Sequence, residues 1–114
     1  MTYEIMHQPS YAVARVMLQP GESILAESGA MMSMSPNVNV ESKATGGIGK
    51  ALGRLLGGES VFQTTFTATQ GPGEVLLAPT TPGDIIQLRI DGSMNVQSGS
   101  FLCCDPHIQM STKA

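Results

Sequence analysis

The chain has 114 residues, of which 41 % are apolar and 13 % charged, and carries a formal net charge of −3. That length supports one modest core rather than two domains, and the acidic balance argues against broad binding to phosphate backbones, which needs clustered cations. No apolar run approaches the ~20 residues of a membrane helix, and no charged-then-apolar leader opens the chain, so a soluble, cytoplasmic protein is expected.

The charged fraction lies well under the usual ~25 %. With eight methionines beside it, this suggests a chain that hides part of its surface in an assembly. Tyr3–Met6 reads as a short edge strand ended by His7-Gln8-Pro9, because proline removes a ladder donor. From Tyr11 to Gln19 the pattern is strand-like, with Ala12, Ala14, Val16 and Leu18 on one face. Pro20-Gly21 signals a turn, Ile24–Glu27 a further strand, and Ser28-Gly29 a second turn. Ala30–Met34 follows, Ser35-Pro36-Asn37 turns, and Val38 and Val40 alternate with Asn37, Asn39 and Glu41. Turn signals at such spacing predict a β-sandwich or barrel.

The alternation stops between Thr45 and Ser60, a stretch holding six of the 13 glycines. Ile48, Ala51, Leu52, Leu55 and Leu56 fall at the one-face spacing of a helix, with Lys50 and Arg54 projecting elsewhere. A short amphipathic helix is therefore expected over 46–58. Gly49 and Gly53 each cost it ~1 kcal/mol relative to alanine, so it must dock. Its surface is either an open end of its own sandwich, or a partner protein or membrane. On that ground Ile48, Lys50, Leu52, Arg54 and Leu55 are the candidate contact residues for a partner or for a second copy.

Phosphate-loop readings of this stretch fail on particular residues. A P-loop needs glycine where Ala44 stands and a hydroxyl where Ala51 stands, and the dinucleotide fingerprint meets Leu52 at its third glycine. Beyond the stretch, Ser60–Gln70 alternates, with Phe62, Thr64, Phe66 and Ala68 on one face. Gln70-Gly71-Pro72-Gly73 predicts a hairpin, and Glu74–Ala78 a strand buried on both faces. Asp84–Asp91 predicts a strand with Ile86, Leu88 and Ile90 inward. Short strands at Met94–Gln97, Phe101–Cys103 and His107–Met110 complete the expectation.

An offset of 70 residues lays the segment from Ile24 to Ala44 over that from Met94 to Ala114 without a gap. Ser28-Gly29 meets Ser98-Gly99, Pro36 meets Pro106, and Lys43-Ala44 meets Lys113-Ala114, while the apolar positions keep step. We read this as an internal duplication. The second copy stops where the first would enter its helix, so a shortened form of a longer architecture, or a chain cut there, is expected.

Catalytic and metal chemistry finds little footing. Cys103 and Cys104 are adjacent, point to opposite faces of a strand and so cannot readily bridge each other; free thiols in a reducing compartment are expected. Cys104-Asp105-Pro106-His107 puts three ligand-type side chains within four residues, but the spacing fits no zinc pattern and reads as a turn. Pro20-Gly21 before a β-run resembles a cupin opening, yet Glu27 and Gly29 stand near where its histidines would fall. Stacking on RNA would need exposed aromatics beside cations, and only five Phe and Tyr are present. The expectation is a chain with no cofactor, no metal and no catalytic constellation.

Four segments together, LQPGESILAESGAMMSMSP, GGIGKALGRLLGGESVFQTTFTA, GPGEVLLAPTTPGDIIQL and SGSFLCCDPHIQMSTK, resemble the altered inheritance of mitochondria protein 24 family, whose bacterial members are uncharacterised. The resemblance implies a β-sandwich like the repeats of the tryptophan RNA-binding attenuation protein, duplicated within a chain and arranged around an axis. It supplies no catalytic or ligand residues, and typical members run about twice as long. The leading functional expectation is a non-enzymatic, oligomer-forming scaffold or interaction protein. The alternative is a small-ligand-binding regulatory module with a pocket between sheets.

Overall fold

Up to Leu77, every strand read from alternation is present in the computed structural model, which describes residues 1–44 and 62–111. The strands are β1 (Thr2–Met6), β2 (Val13–Leu18), β3 (Ser23–Glu27), β4 (Met31–Met34), β5 (Val38–Ala44), β6 (Phe62–Ala68), β7 (Gly73–Leu77) and β8 (Cys103–Cys104). They form two antiparallel four-stranded sheets, ordered β1-β2-β7-β4 and β5-β6-β3-β8. Among the described residues there is no α-helix, only a single turn of 3-10 helix at Ser98–Ser100. The helix expected over 46–58 lies outside the described residues.

The two sheets face each other, and period-two alternation supplies both inner faces. Ala14, Val16 and Leu18 of β2 and Val75 and Leu77 of β7 come from the first sheet. Ile24 and Ala26 of β3, Val38 of β5 and Phe66 and Ala68 of β6 come from the second. Phe66 is the largest side chain wholly inside, and truncating such a residue costs about 3–5 kcal/mol. Thr64 is the one buried polar residue among those described, and its hydroxyl lies 3.1 Å from that of Ser42.

Chain order and sheet order interleave. The β1–β2 connection is a hairpin within one sheet, whereas β2–β3, β3–β4, β4–β5 and β6–β7 each step from one sheet to the other. The Pro20-Gly21 turn makes the first of these steps. Glu22 N–H donates to Gln19 O at 2.9 Å, and Gly21 sits at φ 85°, a conformation open to glycine without strain.

The Gln70–Gly73 turn corrects an expectation. It is not a hairpin, because β6 lies between β5 and β3 while β7 lies between β2 and β4 in the opposite sheet. Asn37 holds this crossing in place. Its Nδ2 faces the carbonyls of Thr69, Gly71 and Pro72 at 3.0, 3.1 and 3.0 Å, and its own carbonyl accepts Thr69 N–H at 2.9 Å.

Further corrections fall after Gly73. Strand β7 is buried on one face only, with Glu74 and Leu76 half-exposed between buried Gly73, Val75 and Leu77. Residues 83–97 join no ladder among the described residues, so the strands expected at Asp84–Asp91 and Met94–Gln97 are absent there. Ile86 and Leu88, expected inward, are 72 % and 56 % exposed. Of the last two expected strands only Cys103–Cys104 pairs, against Leu25 and Ala26 of β3.

Candidate functional site

Strand β4 closes one edge of the first sheet, and all four of its residues, Met31, Met32, Ser33 and Met34, are exposed. Its pairing with β7 slips between Met31 and Ser33, so that Met32 is the extra residue of a bulge. Bulges at sheet edges end regular pairing and re-aim a side chain. Met32, 57 % exposed, turns over a small apolar hollow of about 200 Å³.

Chain segments flanking the first sheet build that hollow. Buried Ala12 and Val13, at the start of β2, contribute to its lining, with Tyr11, Met32, Ala78, Pro79 and Pro82 around them. The loop after β7 is pinned at both ends: Ala78 N–H donates to Ala30 O at 2.9 Å, and Gly83 O accepts Ala12 N–H at 2.9 Å. Gln8 Nε2 adds a tie to Asp84 Oδ1 at 3.0 Å and to Ile85 O at 3.1 Å. The Tyr11 hydroxyl is the one polar side-chain group in the lining. This hollow lies at the edge of one sheet, not between the two. It is suited to an apolar side chain.

The residues weighed for chemistry lie differently. Asp105-Pro106-His107 is a turn, as expected: His107 N–H donates to Asp105 Oδ1 at 2.9 Å and Ile108 N–H to Asp105 O at 3.0 Å. The His107 imidazole stands in solvent, its Nε2 3.9 Å from Asp105 Oδ1. Burial pushes the Cys103 thiol up to about 12, with Cys104 adding to it. Burial and then the Asp105 charge push Cys104 up to about 11. Both are half-buried, free thiols that stay protonated near neutrality.

Among the described residues, no group of three His, Cys, Asp or Glu side chains is placed to hold a metal ion. No helix among them is long and apolar enough to cross a membrane. On the outer face of the first sheet, Arg15 bridges Glu74 Oε2 at 2.6 Å and Glu4 Oε1 at 3.4 Å. The hydrogen bond to Glu74, ahead of its charge, holds the guanidinium above its ordinary pKa. So exposed a bridge contributes little stability.

The candidate contact residues Ile48, Lys50, Leu52, Arg54 and Leu55 lie outside the described residues. Reading the sequence for a helical stripe missed the exposed edge at Met31–Met34. A signal for it existed: two methionines in succession, with a third two residues on, break the alternation that would bury one of them.

Comparison with known proteins places this architecture. An uncharacterised protein of Streptococcus pyogenes serotype M6 is 32 % identical over 117 aligned residues, which take in 96 % of this chain and 47 % of that protein. The crystal structure of a Streptococcus pyogenes protein superposes with a TM-score of 0.68 at 29 % identity, over 92 % of this chain and 50 % of the other. The chain thus spans about half the length of each. The family model described as Mitochondrial biogenesis AIM24 matches residues 3–114, and the chain belongs to the AIM24 family.

Proposed function

We propose that this protein is a non-enzymatic, oligomer-forming β-sandwich module with a scaffold or interaction role in the cytoplasm, built on the plan of attenuation-protein repeats around an axis. The observation that carries this reading is the exposure of large apolar side chains. Met31, Met32, Met34, Ile86, Leu88, Met94 and Val96 are between 38 % and 72 % exposed in a chain with only 13 % charged residues. Exposed apolar surface beyond single scattered side chains marks interaction sites; three of these methionines lie together on β4, and methionine suits such surfaces because it is unbranched and adaptable. A second copy or a protein partner would cover it; nucleic acid and cofactors have no part in this reading.

Static light scattering at micromolar concentration tests it, with a concentration-dependent mass above one chain expected. A well-folded monomer showing no association up to ~100 µM would overturn it. A small-ligand-binding regulatory module is the second reading, favoured by the hollow beside Met32 and Tyr11. At about 200 Å³ it falls short of the ~300–1,000 Å³ of typical ligand pockets, which puts the reading second. A saturable rise in melting temperature with an amino acid or nucleotide would reverse that order.

A further inference from the structure

The 70-residue offset has a counterpart in exposure. Val16, Leu18, Ile24 and Ala26 are the wholly buried centre of the sandwich, at 0 % exposure. Their counterparts 70 residues on are Ile86, Leu88, Met94 and Val96, exposed by 72, 56, 47 and 52 %. The turns that follow these positions recur at the same offset. Ala30 N–H donates to Glu27 O at 3.2 Å and Ser100 N–H to Gln97 O at 2.9 Å; Val38 N–H donates to Ser35 O at 3.1 Å and Ile108 N–H to Asp105 O at 3.0 Å. The first turn of each pair differs in conformation, with Gly29 at φ 91° and Ser98–Ser100 in a 3-10 turn, but the bond is kept. In the first set the two sheets cover each other's apolar faces. Among the described residues nothing equivalent covers the second.

Resting on the oligomer reading above, we propose that residues 86–90 form a two-fold interface in which this segment pairs antiparallel with the same segment of a second copy. The sequence Ile86-Gln87-Leu88-Arg89-Ile90 is self-complementary about Leu88, while Ile85 before it packs against the core of its own chain. In that register Leu88 faces its own copy, Ile86 faces Ile90, and Gln87 faces Arg89. A slip of one residue sets Leu88 against Gln87 or Arg89, and Ile86 against Arg89 or Asp91. A slip of two either brings Asp84 onto Ile90, or brings Arg89 onto its copy and Ile86 onto Gly92. One register keeps the apolar face continuous, and a self-matching segment is what a two-fold, isologous contact requires. Ile85 is held within its own chain, its carbonyl accepting from Gln8 Nε2 and its N–H donating to Asp84 Oδ1, but residues 86–90 join no ladder among the described residues, which leaves their backbone groups for an inter-chain one.

The test uses the 114-residue chain in sedimentation velocity. Leu88→Asp places a charge on its own copy and should weaken association by at least ~30-fold, the effect of losing a central contact, while the melting curve of the dilute chain stays in place. If the wild type associates and Leu88→Asp associates equally well, this interface is wrong and the oligomer reading stands. If the wild type does not associate, both fall. A second measurement does not depend on the Asp variant folding. Under mild oxidation at pH 7, Leu88→Cys should cross-link to its own copy and Gln87→Cys should not, because residue 87 lies diagonal to its copy at ~7–8 Å, beyond ordinary disulfide reach. Cross-linking by Gln87→Cys instead would overturn the register. The wild type, whose two half-buried thiols remain protonated, serves as the blank.

Discussion

Of the described glycines, Gly73 is the one where an added methyl group meets the closest neighbours, so adding it is a quantitative test of the packing between the sheets. Gly73 begins β7 opposite Leu18 and is buried. A Cβ at this position would lie 2.8 Å from Val38 Cγ2 and 3.3 Å from Ala68 Cβ, where carbon atoms rest comfortably at ~3.5–4.0 Å. Val38 is itself 6 % exposed and β-branched, so its side chain has little freedom to turn away. Overpacking of this kind costs ~1–3 kcal/mol. Gly73 has no positive φ, so alanine recovers ~0.4–1 kcal/mol by restricting the unfolded chain. The net expectation for Gly73→Ala is a loss of about 1–2 kcal/mol.

The decisive measurement is the pair. Val38→Ala alone removes two buried methyl groups and should cost about 2 kcal/mol. With Val38 truncated, the alanine methyl enters the space Cγ2 has left, so the double variant should be no less stable than Val38→Ala alone. The coupling is then about 1–2 kcal/mol in favour of the pair. Urea unfolding followed by far-UV circular dichroism at low protein concentration gives all four corners of the cycle, provided the m-values agree. Losses that add to within ~0.5 kcal/mol would refute the contact between β5 and β7 at this point.

Three further outcomes follow from named contacts. Asn37→Ala removes the Nδ2 donor of the Gln70–Gly73 crossing and should cost ~1–3 kcal/mol in the same unfolding assay; Asn37→Asp, which keeps the size but loses the donor, should be no better. Glu22 accepts Gln19 N–H at 2.7 Å and sits 2.9 Å from the Met1 ammonium; the first of these, then the second, holds its carboxyl below the ordinary glutamate pKa. A lowered folded-state pKa gives stability that is present above the unfolded value and lost as pH falls through the folded one, so Glu22→Gln should flatten the acid limb of an acid-unfolding curve. Cys103 and Cys104 should react with iodoacetamide at pH 8 at least ~10-fold more slowly in the native chain than in urea, since their pKa values are raised by burial.

The sandwich up to Leu77 was legible because three local signals agree there. Alternation set the inner faces of β2, β3 and β6, and Pro20-Gly21 and Ser28-Gly29 marked two of the places where the chain changes sheet. Those turns do not say whether they close a hairpin or cross between sheets. The Gln70–Gly73 turn misled for that reason: its glycines and proline fit either, and the choice is made by Asn37, more than thirty residues away. Glu74–Ala78 was read as buried on both faces because Leu76 is apolar, yet only tertiary placement decides that Leu76 lies outward beside Arg15 in the sheet.

Residues 84–97 show a different limit. Their alternation is as regular as that of β2, and it identifies Ile86 and Leu88 as a face meant to be covered. Alternation encodes a face; it carries no information about which residues cover it. For Val16 and Leu18 the cover is β3 and β6 in the opposing sheet of the same chain, and burial is complete. For Ile86 and Leu88 the described residues provide no such pair, and the same pattern stands in water. A strand is therefore a statement about two partners, and a sequence names one of them. In the proposed interface the second is the same segment of another copy, matched about Leu88.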